Sequence, residues 1–339
     1  MTFGQALARG DNNLDLMRLC AALLVLFSHS FVLTGRAEDE PVGLVMRHLV
    51  DGGGMAVSAF FVLSGFLVAG SAARHGWRRF SVSRVARIYP AYLLVVVFQV
   101  FVVGAVMTRL PLGEYLRDGG VWRAVLRAVP FSPAVGLPGV FGANPLPLVV
   151  NGSLWTLRVE VACYVGVGVA AWFGLVRPLW VFVALAAGFG LRGAVTGVGA
   201  PFEPIVAYGL HFCAGAIFWC MRDRVRVRAV GVGLCALLIG VSLGTEYATF
   251  VWHFMFPYAV LAVGLSGAVA GGVMRRLGDV SYGTYLFAFP VQQCLVAWFA
   301  PGPWMLAAMA VPPVLGLALL SRRFVEVPCL ALARSAPVC

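Results

Sequence analysis

Ten apolar stretches, each close to the length that crosses a bilayer, take up most of this 339-residue chain. A spanning helix needs about 20 apolar residues, within roughly 17–25. Stretches of that kind lie at 14–33, 55–72, 88–107, 152–175, 178–194, 204–221, 229–245, 250–270, 280–299 and 303–320. Only helices and closed barrels satisfy their backbone groups in lipid. The expected fold is therefore all-α: a polytopic membrane protein of about ten transmembrane helices around a central pore or cleft, forming a single domain over 1–339.

Composition agrees. The chain is 61% hydrophobic and 12% charged, with a mean hydropathy of +0.90, whereas soluble domains carry about 25% charge. All 25 basic residues are arginine. A net charge of +11 would suggest nucleic acid for a soluble protein, but here the arginines punctuate apolar runs, so the expected partner is the lipid bilayer. Ten spans put both termini on one side. With cytoplasmic termini, sixteen arginines fall on inner segments and seven on outer ones, the asymmetry of the positive-inside rule.

The eight cysteines show no CxxC or metal-ligand spacing and read as small core residues; no metal is expected. The first apolar run contains Arg18 and lacks a cleavage signal, so it reads as a retained helix. The triplet Gly52-Gly53-Gly54 lacks a strand–helix setting and reads as a turn. The one long outer connection, about 108–151, is rich in Pro and Gly. Within it, 121–129 puts Arg123 and Arg127 on one face of an otherwise apolar helix, as in an interfacial helix.

Ionisable side chains inside spans are costly and mark function by default. Arg18 and His29 are eleven residues apart, which brings them within about 20° of one face at a rise of about 16 Å. His29 reads as a reactive imidazole or as a structural histidine on a backbone carbonyl. Ser153, Glu160 and Tyr164 follow at spacings that share a helical face. Glu160 could orient His29 or pair with an arginine, and Arg158 projects from nearly the opposite face. Arg84 and Arg87 are i, i+3 neighbours at an inner helix entrance, suited to a phosphate ligand or to membrane anchoring. His48 and His75 fall in loops; His211 and His253 have no evident partner in the sequence.

These residues coincide with the motifs of a known family. Leu14-Asp15-Leu16-Met17-Arg18 through Ser28-His29-Ser30, Phe60 to Leu67, Arg84-Val85-Ala86-Arg87 with Tyr89-Pro90, Asn151 to Glu160, Ser281 to Leu286 and Arg323 to Pro328 together resemble the acyltransferase-3 family of integral membrane O-acyltransferases. Many members carry a histidine in the ninth span where this chain has Ala288 and then Phe289-Pro290, so no ninth-span histidine can act here.

The resemblance implies a bacterial inner-membrane enzyme that takes an acyl group, expected to be acetyl, from cytoplasmic acyl-CoA (acetyl-CoA). The acceptor would be a hydroxyl of a cell-surface or periplasmic glycan or glycolipid. Arg84 and Arg87, with Arg322 and Arg323, would bind the donor. His29 would be the general base, with Arg18 and Glu160 in support, or would form a covalent acyl-histidine. Asn144, Asn151, Ser153, Trp155 and Tyr164 would bind the acceptor. A secondary transporter or exporter of a polar or acylated product is the alternative, although no inverted repeat of the transporter kind is evident. The oligomeric state is not encoded legibly.

Overall fold

The computed structural model describes residues 1–131, 136–177, 203–269 and 277–335, together with 180, 181, 184, 187, 188, 272 and 274. The expected fifth span, 178–194, lies mostly outside the described residues, as do Arg192, Arg275, Arg276 and Cys339.

The described residues are helical and contain no β-strand. In chain order the helices are α1 (Phe3–Arg9), α2 (Leu14–Leu33), α3 (Pro41–Val45), α4 (Gly52–Arg74), α5 (Trp77–Met107), α6 (Leu112–Arg117), α7 (Gly119–Ala128) and α8 (Trp155–Trp172). They continue with α9 (Glu203–Cys220), α10 (Ala229–Ser242), α11 (Ala248–Gly264), α12 (Ser281–Phe299) and α13 (Pro303–Ser335). Helices α2, α4, α5 and α13 are long and apolar enough to cross a membrane. Helices α8 and α12, at 18 and 19 residues, are also of spanning length, but α8 carries Arg158 and Glu160 and α12 carries Gln292 and Gln293. The apolar helices Val206–Cys220, α10 and α11 are shorter.

Two helices outrun their apolar stretches. Helix α5 starts at Trp77 rather than near 88, and its 31 residues extend about 46 Å, well beyond a hydrocarbon core of about 30 Å. Arginine is a good helix former, so the helix continues after the apolar run has ended. Helix α13 likewise continues past 320 through a π-helical turn at Arg322–Glu326. The glycine triplet at 52–54 is the first turn of α4 rather than a loop: Asp51 caps it, accepting from the Gly54 N–H at 2.6 Å. Helix α1 forms through a capping box between Thr2 and Gln5. The helix expected at 121–129 is α7, capped by Asp118.

The chain divides into two compact units. The first comprises Met1–Ala21, Val45–Ser81 and Val159–Asp279, the second Ala22–Leu44, Val82–Arg158 and Val280–Cys339. In the first unit, α4 and α9 approach backbone to backbone. A Cβ on Gly65 would overlap the Phe212 carbonyl oxygen, and one on Gly215 the Val62 carbonyl oxygen, the small-residue packing that serves membrane helices. Leu63, Phe66, Trp219, Leu261 and Leu265 form its core, against which Phe3 of α1 is fully buried.

In the second unit, α12 and α13 pack through Gly283 against Ala318. Leu26 joins Ala288, Ala310 and Val314 in one cluster, and Leu33 joins Phe289, Val296 and Leu306 in another. The long connection at 108–151 is tied down by tyrosines. Tyr92 donates to the Ala128 carbonyl at 2.9 Å and stacks on Phe131. Tyr115 donates to the Val100 carbonyl at 2.8 Å, inside a second π-helical turn at Phe98–Val103.

Candidate functional site

Helix α2 is uninterrupted from Leu14 to Leu33 and carries both Arg18 and His29. In the first unit, Arg18 is fixed by carboxylates: Nη1 lies 3.2 Å from Asp279 Oδ2 and 3.9 Å from Asp15 Oδ1. With both side chains of the Arg18–Asp279 pair largely buried, the attraction is far less screened than at a surface. Asp279 was not singled out by sequence, because its partner lies more than 250 residues away.

Glu160 and Tyr164 stand one turn apart on α8, and the Tyr164 hydroxyl donates to Glu160 Oε1 at 2.5 Å. Ser64 of α4 donates to the same hydroxyl at 3.2 Å and reaches the carboxylate at 3.5 Å. Among the described residues of this unit, the groups on Glu160 are thus two hydroxyls rather than an arginine. His211 and His253, partnerless by sequence, are both buried with ring centroids 4.5 Å apart. Each ring is oriented by Nδ1 on the carbonyl one turn earlier, Ala207 and Thr249.

In the second unit, His29 is half-buried and its ring meets Phe289 of α12 edge to face at 5.2 Å. Gly152 makes this possible, since a Cβ there would lie 2.8 Å from Phe289 Cε2. Helix α12 is fastened to α2 beside His29 by Gln292, whose Nε2 donates to the Leu26 carbonyl at 2.8 Å and to Ser30 Oγ at 2.7 Å. Apolar-run reasoning passed over Gln292 and Gln293; two adjacent amides inside a span were the available signal.

The residues assigned to the acceptor divide. Asn144 is buried, and its amide donates to the Gln293 carbonyl and side-chain oxygen at 3.0 and 2.6 Å, while Gln293 holds the carbonyls of Leu146 and Val149. Asn151 donates to the Leu286 carbonyl at 3.1 Å and accepts from the Ser153 N–H at 3.0 Å. Both asparagines therefore seat the 108–151 connection on α12. Tyr285 donates to the Ser153 carbonyl at 2.8 Å and shares a 2.6 Å contact with Thr156.

The expected common face of Ser153, Glu160 and Tyr164 does not form. Asn151 holds Ser153 in a turn, and α8 begins only at Trp155. Ser153 is nonetheless buried, and its Oγ has no hydrogen-bond partner among the described residues. Trp155 is substantially exposed. Arg158 is tied by Nε to the Phe131 carbonyl.

Arg84 and Arg87 are half-buried on the extension of α5. Just beyond them, Tyr282 of α12 donates to the Ile88 carbonyl at 2.9 Å. Arg322 is half-buried at the π-helical turn of α13, whereas Arg323 is exposed with its guanidinium over Phe324. Glu326, the last residue of that turn, is buried and accepts from Ser321 at 3.0 Å. Such turns recur at functional sites. Among the described residues no three histidine, cysteine or acidic side chains gather as a metal-binding group.

The sequence model of the family described as the acyltransferase domain, acyltransferase-3, matches residues 11–323. The chain is 29% identical to the O-acetyl transferase of Shigella phage Sf6, over 93% of this chain and 95% of that protein. It is 28% identical to nodulation protein 10 of Rhizobium leguminosarum bv. viciae, over 96% and 94%. With acyltransferase MdmB of Streptomyces mycarofaciens it shares 27% identity, over 81% and 77%. No solved structure matches the chain. A match that runs from before Arg18 to Arg323, on helices of membrane-spanning length, has one outcome: this chain belongs to the acyltransferase-3 family and is a multi-pass membrane acyltransferase.

Proposed function

We propose that this chain transfers an acyl group, acetyl in the first instance, from cytoplasmic acyl-CoA to a hydroxyl of a cell-surface or periplasmic glycan or glycolipid. The two units together make one acyltransferase domain in a bacterial inner membrane, with both termini cytoplasmic. The observation that carries the reading is His29: a half-buried imidazole, packed against Phe289 on a membrane-length helix, inside a family match that covers most of the chain. The name of the phage relative, an O-acetyl transferase, supports an acetyl group and an oxygen acceptor.

His29 acts as general base. It takes the proton of the acceptor hydroxyl as that oxygen attacks the thioester carbonyl. The C–O bond forms, the C–S bond breaks, and the departing CoA thiolate takes the proton from the imidazolium. Arg18, held by Asp279, supplies positive charge along the donor arm, and Glu160 with Tyr164 anchors α8. Arg84, Arg87 and Arg322 bind the donor phosphates, with Arg323 further out in solvent. Ser153 Oγ meets the acceptor, Trp155 offers it an exposed face, and Asn144 and Asn151 position the connection around it.

The test is CoA-thiol release by the purified protein in lipid nanodiscs, with acetyl-CoA and a hydroxylated glycan. Thiol should appear only with acceptor present, and the acceptor should gain one acetyl mass. Acceptor uptake without thiol would instead mark transport and overturn the reading.

A further inference from the structure

We propose that the first unit carries a binding site for an anionic glycerophospholipid headgroup, in a cavity beside Trp77 and Trp172. This goes beyond acyl transfer and needs only that the chain spans a membrane. The cavity, of about 280 Å³, lies where α4 ends, α5 begins and α8 ends, and its lining includes His75, Gly76, Trp77, Phe80, Gly168 and Trp172. The two indoles pack at 5.5 Å between centroids, and both are more than half exposed. Exposed indoles at the ends of membrane-spanning helices sit at headgroup level.

The two chain segments that line the cavity carry charge of one sign. Residues 71–81 contain Arg74, Arg78 and Arg79 and no acid, and 168–177 contain Arg177 and no acid. Arg74, Arg78 and Arg79 are exposed. The Arg78 guanidinium lies 5.6 Å from the Trp77 ring. Arg74 lies 5.1 Å from the Trp219 ring; Arg222, 4.3 Å from that same ring, is paired with Asp223 at 3.5 Å and is not part of the site. A guanidinium on the face of an indole that lines an open cavity, with Arg74 and Arg79 exposed on the same segment, complements a phosphate attached to an apolar body.

Within the cavity wall, His75 Nδ1 donates to the Ser71 carbonyl at 3.0 Å, which leaves Nε2 as an acceptor for a hydroxyl of a glycerol head. A methyl group at Gly76 would meet nothing within 4 Å, so that side is open. The volume, about 280 Å³, lies just below the roughly 300–1,000 Å³ of ligand pockets. It suits a phosphoglycerol head rather than a nucleotide with a pantetheine arm. Basic pockets among membrane helices hold anionic lipid heads in this way.

The experiment titrates the full-length protein in mild detergent with phosphatidylglycerol or phosphatidylcholine, reading melting temperature and retained lipid by native mass spectrometry. Phosphatidylglycerol should raise the melting temperature by several degrees and remain bound; phosphatidylcholine should do neither. The double variant Arg78→Gln/Arg79→Gln and the variant Trp172→Ala should each weaken the phosphatidylglycerol effect at least fivefold. Gly76→Leu, which adds bulk to the cavity wall without removing a charge, should do the same. An equal response to the two lipids would reduce the cluster to general interfacial anchoring. Headgroup preference retained in Gly76→Leu and in the arginine double variant, or protection by inorganic phosphate or ADP in place of lipid, would overturn the proposal.

Discussion

The rings of His29 and Phe289 meet edge to face, their centroids 5.2 Å apart and their planes at 78°, and the contact exists because residue 152 has no side chain. In Gly152→Ala the new methyl would lie 2.8 Å from Phe289 Cε2, so the ring must shift and His29 with it. Overpacking of this kind costs about 1–3 kcal/mol, and a displacement of about 1 Å at a reacting group can cost on the order of a hundredfold in rate. Turnover should fall at least tenfold with a modest drop in melting temperature. A variant as active as the parent would show that the His29–Phe289 contact does not set the geometry of the reaction.

His29→Ala should abolish transfer while leaving folding and donor binding intact. General-base catalysis contributes about 10²–10⁴-fold, and the half-buried ring is not a main element of the core. Thiol release, melting temperature and CoA binding, measured on the same preparation, separate these effects. Parental turnover in this variant would remove the base assignment.

Arg84→Ala and Arg87→Ala should each weaken CoA binding about tenfold, since a hydrogen bond to a charged group is worth about 1.5–3 kcal/mol. Binding should also weaken with added salt. Arg323 is exposed and Arg322 half-buried, so Arg323→Ala should have the smaller effect of that pair. Calorimetry checks all four. Unchanged affinity for both Arg84 and Arg87 variants would return these residues to membrane anchoring.

Tyr115, in the connection outside the spans, is fully buried, and burial raises its phenol from 10.0 to about 12. Below pH 10 the phenol is neutral in folded and unfolded chains alike, so its contribution to stability is complete. Above that the unfolded chain ionises first, and the contribution is lost as pH rises through about 12. The melting temperature of the parent should therefore fall between pH 10 and 12 more steeply than that of Tyr115→Phe. Parallel curves would contradict this.

Topology is testable by cysteine labelling in intact cells. Asn144 is buried on Gln293, so its exposed neighbour Ala143 is the better outer probe, with exposed Arg79 as the inner one. Cys20, exposed as a free thiol, should be replaced by serine to lower the background. The arginine asymmetry requires Ala143→Cys to label from outside and Arg79→Cys only after permeabilisation. Labelling of both from one side would refute transfer across the membrane.

What the sequence determined on its own were features set within a few turns of one helix. Apolar runs long enough for a bilayer predicted α2, α4 and the cores of α5 and α13, because lipid leaves the backbone little alternative to a helix. The one-turn pairing of Glu160 with Tyr164 and the i, i+3 pair Arg84 and Arg87 were legible for the same reason: helical geometry fixes such neighbours. The ends of helices were less so. Polar residues continue a helix as readily as apolar ones, which is how α5 came to begin at Trp77, and Asn151 delayed the start of α8 past Ser153. Only the tertiary structure decided the long-range partners: Asp279 for Arg18, Phe289 for His29, Gln293 for Asn144, and His253 for His211. No periodicity in a single chain encodes these, since each depends on which helix faces which, and packing between helices sets that.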